Sequence, residues 1–246
     1  WTNTGLITAN DDWSGVPGLQ GFRGDGLTGA TGTDPQTLLD GDDAAPVLDV
    51  NANQTNPDTF STGGVTEFEI ANAAVALAGS GTADAPYLRF YLDTTGAANV
   101  SVAYNLRDLD GSADDAIQQV ALHYRVGSTG SFTNVPAAYV ADATTGPSQA
   151  TLVTPVCAVL PAEADNQPLV QVRVMTTNAA GNDEWVAIDD LVVSTAPCGG
   201  GNPMLSIGDV SLSEGDAGFA DFTFTISVTG TPAGTVTFDA TVNDGT

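Results

Sequence analysis

PYLRFYLDTTGAANVSVAYNLRDLDGSADDAIQQVALHYRVG, residues 86–127, decides the fold. Within it, 86–94 alternates apolar and polar residues with aromatics on the apolar beat. In 98–109, Val100, Val102 and Tyr104 fall on one face, and in 117–127 Val120, Leu122, Tyr124 and Val126 do the same. Successive side chains of an extended strand point to opposite faces, so a period of two buries one face and wets the other. Gly, Asp, Asn and Thr clusters separate the runs, which therefore read as consecutive antiparallel strands. Working outward, TEFEIAN (66–72), VALAG (75–79), ATLVTPV (150–156), PLVQVRVMTT (168–177) and EWVAIDDLVVS (184–194) read as further strands. TNTGLIT (2–8) reads as a first strand, and 9–64 as a Gly/Asp-rich irregular stretch with short strands near Leu19–Arg23 and Val47–Val50. ANAAVALA (71–78) has the best helix propensity in the chain, but both neighbours alternate, so it too is assigned to extended chain. The fold class is all-β, an antiparallel β-sandwich.

Composition agrees and bounds function. The 246 residues carry 30 Asp plus Glu against five basic residues, all Arg, for a net charge of −25. Charged residues are only 14% and hydrophobic ones 42%, so the chain has material for a core and is not an acidic tail. The absence of Lys and of a basic stripe argues against contact with nucleic-acid phosphates, and an anionic membrane surface would repel the chain unless divalent cations bridge the two. No apolar run reaches the length of a membrane span. So much carboxylate repels itself unless salt or bound cations relieve it. Asp in Gly/Asn-rich turns is a natural source of oxygen ligands for Ca²⁺, and Ca²⁺ is the expected cofactor. Cys157 and Cys198 are expected to form a disulfide, which with the charge balance places the protein outside the cell, secreted or at the cell surface.

A boundary follows Ser194. Residues 196–203 form a Gly/Pro-rich linker between 1–195 and a shorter segment, 204–246. In that segment LSIGDVSLSEGDAG (205–218), FADFTFTISVTG (219–230) and TVTFDATVNDGT (235–246) resemble a Calx-beta module, which implies part of an immunoglobulin-like sandwich. The resemblance points to Glu214 of the "SEGD" turn and Asp244 of "DGT" as calcium ligands. The segment covers about half the usual length of such a module. Residues 11–39, 104–147 and 172–194 resemble the N-terminal jelly-roll module of large secreted bacterial proteins, among them extracellular nucleases and phosphoesterases. The closing WVAIDDLVV (185–193) is similar to the last strand of MAM-type and cleaved-adhesin jelly rolls, where an Asp holds structural calcium.

Three acidic constellations carry the candidate metal ligands. Asp108, Asp110, Asp114 and Asp115 stand in RDLDGSADD, where alternate carboxylates converge if Gly111 turns the backbone; the other reading is a solvated hairpin turn stabilised by Asp. Asp183, Glu184, Asp189 and Asp190 stand in GNDEWVAIDD, with Asp11 and Asp12 as possible neighbours from the first strand; the other reading is an edge charge that discourages pairing. Asp25, Asp34, Asp40, Asp42 and Asp43 crowd the early loop. The only histidine, His123, is assigned to an exposed strand face opposite Leu122 and Tyr124. With no GxSxG elbow, Walker loop or HExxH motif, no catalytic residue is named.

The function this supports is a non-catalytic extracellular β-sandwich module, stabilised by calcium, acting in adhesion, spacing or assembly at the cell surface. Two alternatives stand beside it. One is a subunit of a filament or surface layer, pairing with copies of itself or other surface proteins through strand edges. The other is an accessory region of a secreted nuclease or phosphoesterase. Exposed aromatics would make glycans a further partner.

Overall fold

The computed structural model describes residues 1–40, 47–113, 115–146, 150–198, 204–207, 223–224 and 226–229. The chain divides into two compact units, Trp1–Thr195 and Ala196–Thr246.

The first unit is an all-β sandwich of the jelly-roll type. One sheet has five strands in the order β1 (Leu19–Phe22), β5 (Tyr87–Leu92), β10 (Val170–Thr176), β7 (Val120–Val126), β8 (Thr133–Asn134). The other has six: β2 (Asn51–Gln54), β3 (Gly64–Phe68), β4 (Ala74–Ala78), β11 (Val186–Ser194), β6 (Ser101–Asp108), β9 (Val153–Val159). All pairings are antiparallel except β2 with β3. The apolar beats found in the sequence meet between the sheets. Leu88 and Phe90, Val172 and Val174, and Leu122 and Tyr124 pack against Val75 and Leu77, Val102 and Leu106, and Val186 and Ile188 in one buried cluster. At about 25 cal/mol per Å² of apolar surface removed from water, this contact is the main stabilising term.

The outer faces are not simply wet, which explains why some strands are buried on both sides. Ala74, Ala76 and Ala78 alternate with Val75 and Leu77 on β4, and their small side chains form a second cluster with Phe68, Leu109, Trp185 and Ala187. Phe60, from the loop before β3, closes over it. On the other sheet, Phe22, Ala85, Tyr87 and Met175 form a third cluster under Leu27 and Leu38. Much of the early irregular stretch therefore works as a cover for sheet faces.

That cover overturns the assignment of His123. It does point away from Leu122 and Tyr124, but it is 0% exposed. It shares a cross-strand row with Gln20, Arg89, Arg173 and Asn134. Its Nδ1 accepts from Arg173 Nε at 3.0 Å, and the Arg173 guanidinium lies 4.0 Å from the centre of the Phe132 ring. Burial, then the Arg173 charge, push the imidazole pKa down to about 3, so it is neutral. Strand assignments also shift: 66–72 lies at Gly64–Phe68 and 150–156 at Val153–Val159. Residues 2–8 hold a 3₁₀ turn at Thr4–Leu6 rather than a strand, anchored by buried Ile7. Val47–Val50 keeps one bridge, Leu48 to Phe22; pairing resumes at the polar Asn51–Gln54, where the Asn51 amide donates to Val65 O and Thr66 Oγ1. The 71–78 segment is a strand at Ala74–Ala78, as its neighbours required.

In the second unit, β12 (Met204–Ile207) pairs antiparallel with β13 (Ile226–Thr229). Glu214 and Asp244 lie outside the described residues, as do Asp42, Asp43 and Asp114. Neither Cys157, on β9, nor Cys198 is a free thiol.

Candidate functional site

At one end of the six-stranded sheet, three connections meet. The loop 57–63 descends from β2, the β6–β7 connection contributes Asp110 and Ser112, and the β10–β11 connection contributes Gly181 to Trp185. Together with Ala78–Ser80 they enclose a cleft of about 460 Å³. Trp185 backs it. Its ring lies 5.1 Å from Phe68 and 5.8 Å from Phe60, and its Nε1 donates to Phe60 O at 2.8 Å, which pins the loop to the sheet. Asp58 Oδ1 accepts from Gly111 N at 2.8 Å and docks the same loop onto the β6–β7 connection. Asp183 Oδ1 accepts from Ala179 N at 2.8 Å, closing the turn that leads into β11.

Behind this cleft the acids crowd. Asp108, at the end of β6, is 1% exposed and Glu184 2%. Asp108 Oδ1 accepts from Asp110 N at 2.9 Å, Asp110 Oδ1 from Ser112 N at 2.8 Å, and Glu184 Oε1 from Ala116 N at 2.9 Å. Asp108 Oδ2 is buried with no hydrogen-bond partner. Burial drives the Asp108 pKa up to about 6, and the charges of Asp110, Asp142 and Asp58 push the same way. Burial likewise lifts Glu184 to about 7, with Asp108 and Asp110 adding to the rise. Asp183 reaches about 6 by burial. Among the described residues, no group of three or more His, Cys, Asp or Glu side chains stands ready to hold a metal ion.

These shifts set a pH dependence. An acid whose folded pKa lies above its unfolded value binds protons more tightly when folded, so stability falls as pH rises between the two values. For Asp108, Asp183 and Glu184 that window runs from about 4 to about 7. In chelator, acidification from pH 7.5 to 5 is expected to raise the melting temperature by at least about 3 °C, the equivalent of ~1 kcal/mol in a chain of this size. Glu184→Gln should flatten that rise. A curve that is level or falls on acidification over the same range would refute it.

The other named acids are placed differently. Asp189, 3% exposed at its side chain, accepts from the Trp1 ammonium at 3.0 Å and from Arg107 at 2.8 Å. Burial raises its pKa, but hydrogen bonds from the Trp1 ammonium, Asp190 N and Arg107, together with the ammonium charge, outweigh burial and leave it below the ordinary value. Asp190 is exposed, at a break in the β11–β6 register, with φ 51° and a bond from Asn105 Nδ2. Asp11 is exposed and accepts from Val50 N; Asp12 is exposed and accepts from Ser14 N. Asp25 is exposed on the turn after β1, and Asp115, also exposed, accepts from Gly146 N. The structure thus keeps Asp108 and Asp110 together and adds Asp58, Asp142 and Glu184. Asp58 and Asp142 carry no local pattern that would have flagged them.

No protein-family model and no curated protein matches this sequence. Among solved structures, it is similar to a carbohydrate-binding module specific for non-crystalline cellulose, at 15% identity over 58% of this chain and 97% of that one, with a TM-score of 0.40. It is also similar to a structure of the β-sandwich superfamily of carbohydrate-binding modules of promiscuous specificity, at 10% identity over 61% and 66%, TM-score 0.36. A third is a cyclase from Fischerella sp. TAU in complex with 4-(1H-indol-3-yl)butan-2-one, at 12% identity over 72% and 84%, TM-score 0.38.

Proposed function

We propose that this chain is a non-catalytic extracellular module that binds a neutral glycan in the cleft between Asp58, Phe60, Asp110, Asn182 and Trp185, and that it acts in adhesion or spacing at a cell surface. The cleft carries the reading. Its volume of about 460 Å³ falls in the range of small-ligand sites, and it combines an aromatic wall with a few polar groups, as such sites do. Carboxylates accept from sugar hydroxyls, and the Asn182 amide both donates and accepts. Among the described residues no Lys, Arg or His lines it, and a chain of net charge −25 repels acidic polysaccharides, which leaves neutral glycans as the class tested. Asp183 is committed to backbone N–H groups of Ala179 and Gly79, which leaves it a structural rather than an acid–base role. The expected disulfide favours an oxidising compartment.

Affinity electrophoresis and calorimetry against soluble neutral polysaccharides, β-glucan, galactan and mannan among them, test this. Binding to at least one is expected without release of reducing sugar. Asn182→Ala, on an exposed rim residue, should weaken it about three- to tenfold, the worth of one or two hydrogen bonds. Failure to bind any of them, or hydrolysis of the bound polymer, would overturn the proposal.

A further inference from the structure

The acids behind the cleft have a use that the glycan reading does not require. We propose that Asp108, Asp110 and Glu184, with Asp58 at the cleft side, bind one hard divalent cation of the calcium class.

The argument starts from a single atom. Asp108 is 1% exposed, and its Oδ2 has no hydrogen-bond partner. An unsatisfied buried carboxylate oxygen is among the least tolerated groups in a folded protein. Five remedies exist: an N–H donor, a basic side chain, a water molecule, a proton or a metal ion. Donors from the backbone are spent on Oδ1, which takes Asp110 N. The adjacent arginine on the same strand, Arg107, is engaged by Asp189 and Asn72 O. No cationic side chain is among the charges acting on Asp108 or Glu184; those that act are Asp58, Asp110 and Asp142 on the first, and Asp108 and Asp110 on the second. A water or a proton satisfies one group, yet at neutral pH either leaves the rest of the cluster repelling. A divalent ion held by some of these carboxylates offsets the charge of the others at short range.

The type of ion follows from the donors. They are all oxygen, with no His or Cys beside them, which selects hard cations over zinc or copper. The described side chains do not already converge three to a point, so carbonyl oxygens and water must supply the rest of the shell. Calcium accepts six to eight oxygens in irregular geometry, whereas magnesium demands a near-ideal octahedron. The cation also lies behind Asp110 and Asp58, which line the cleft, so its binding would stiffen that wall.

The test uses the whole chain, freed of metal with chelator and titrated at pH 7.5 with CaCl₂ or MgCl₂, by calorimetry and by thermal melting, in 0.3 M NaCl to suppress diffuse binding to surface acids. One saturable calcium site is expected, with magnesium at least tenfold weaker. The melting temperature should rise by about 5–10 °C at a hundredfold excess over Kd. Asp108→Asn and Glu184→Gln, each conservative in shape, should fold and weaken calcium at least tenfold, and Asp108→Asn should melt no lower than wild type in chelator. Asp12→Asn, at an exposed acid, should leave the affinity unchanged. Absence of a calcium-dependent shift in wild type, or equal affinity in Asp108→Asn, would overturn the site. Glycan binding is measured separately on the same samples, so loss of one reading is distinguishable from loss of the other.

Discussion

Asp189→Ala is expected to lower the melting temperature by about 6–12 °C. The carboxylate it removes is 3% exposed and bridges Arg107, itself only 14% exposed, and the Trp1 ammonium. Without it, Arg107 retains the carbonyl of Asn72 but no counter-charge among the described residues. Removing one partner of a buried pair costs ~3 kcal/mol or more, and each kcal/mol shifts the midpoint of a chain this size by about 2–4 °C. Asp190→Asn is the control, since that neighbour is exposed, holds only Asn105, and Asn tolerates its left-handed φ of 51°. The same carboxylate contributes to acid sensitivity. The folded pKa of Asp189 is depressed, so its contribution is complete above the unfolded value near 4 and is lost as pH falls through the folded one. The double variant Arg107→Met/Asp189→Leu should recover part of the loss, because the Arg107 charge leaves with its partner while the Trp1 ammonium stays without one. A shift below about 2 °C for Asp189→Ala would show that the pair behaves as a solvated surface contact.

Gly79→Ala is expected to cost a similar amount, for a steric reason. A Cβ at this position would stand 2.2 Å from Asn178 Cα, 2.7 Å from Asn178 N and 2.5 Å from Asp183 Oδ1. Two of these atoms are backbone and cannot rotate away, so the strand end must separate from the β10–β11 connection. Forced overpacking of this kind costs ~3 kcal/mol, about 6–12 °C in melting temperature. It should also abolish ligand binding, because Gly79 and Asp183 form one wall of the cleft. Gly81→Ala is the matched control: its Cβ meets nothing within 4 Å, and a neutral or slightly stabilising change is expected there. Equal melting curves for the two variants would mean that the cleft wall yields freely.

The contrast between these sites shows how much the residue pattern could say. Alternation in 86–127 foretold β5, β6 and β7, and the same reading foretold β4, β10 and β11, because side-chain direction along an extended strand is a local property. It failed on His123. Alternation told which way the ring points, not that Arg173 and the Pro35 backbone would hold it in a buried place. Within the irregular stretch 9–64 the reading found β1 at Leu19–Phe22 but not the covering segments, since covering a sheet face demands no periodicity.

For the candidate site, RDLDGSADD marked Asp108 and Asp110 as neighbours, and no reading of it separated a solvated turn from a buried cluster. Burial of Asp108, the approach of Glu184 to Ala116 and the docking of Asp58 on Gly111 span 68 and 53 residues respectively for the last two contacts. The amino-acid sequence by itself determined most of the strands, the buried face of most of them, and the acid excess, because each depends on short-range geometry or simple summation of charge. Only the tertiary structure decided which carboxylates are paired with Arg107 and which are left facing one another, because loop closure between distant strands brings those groups together and removes the water that would otherwise screen them.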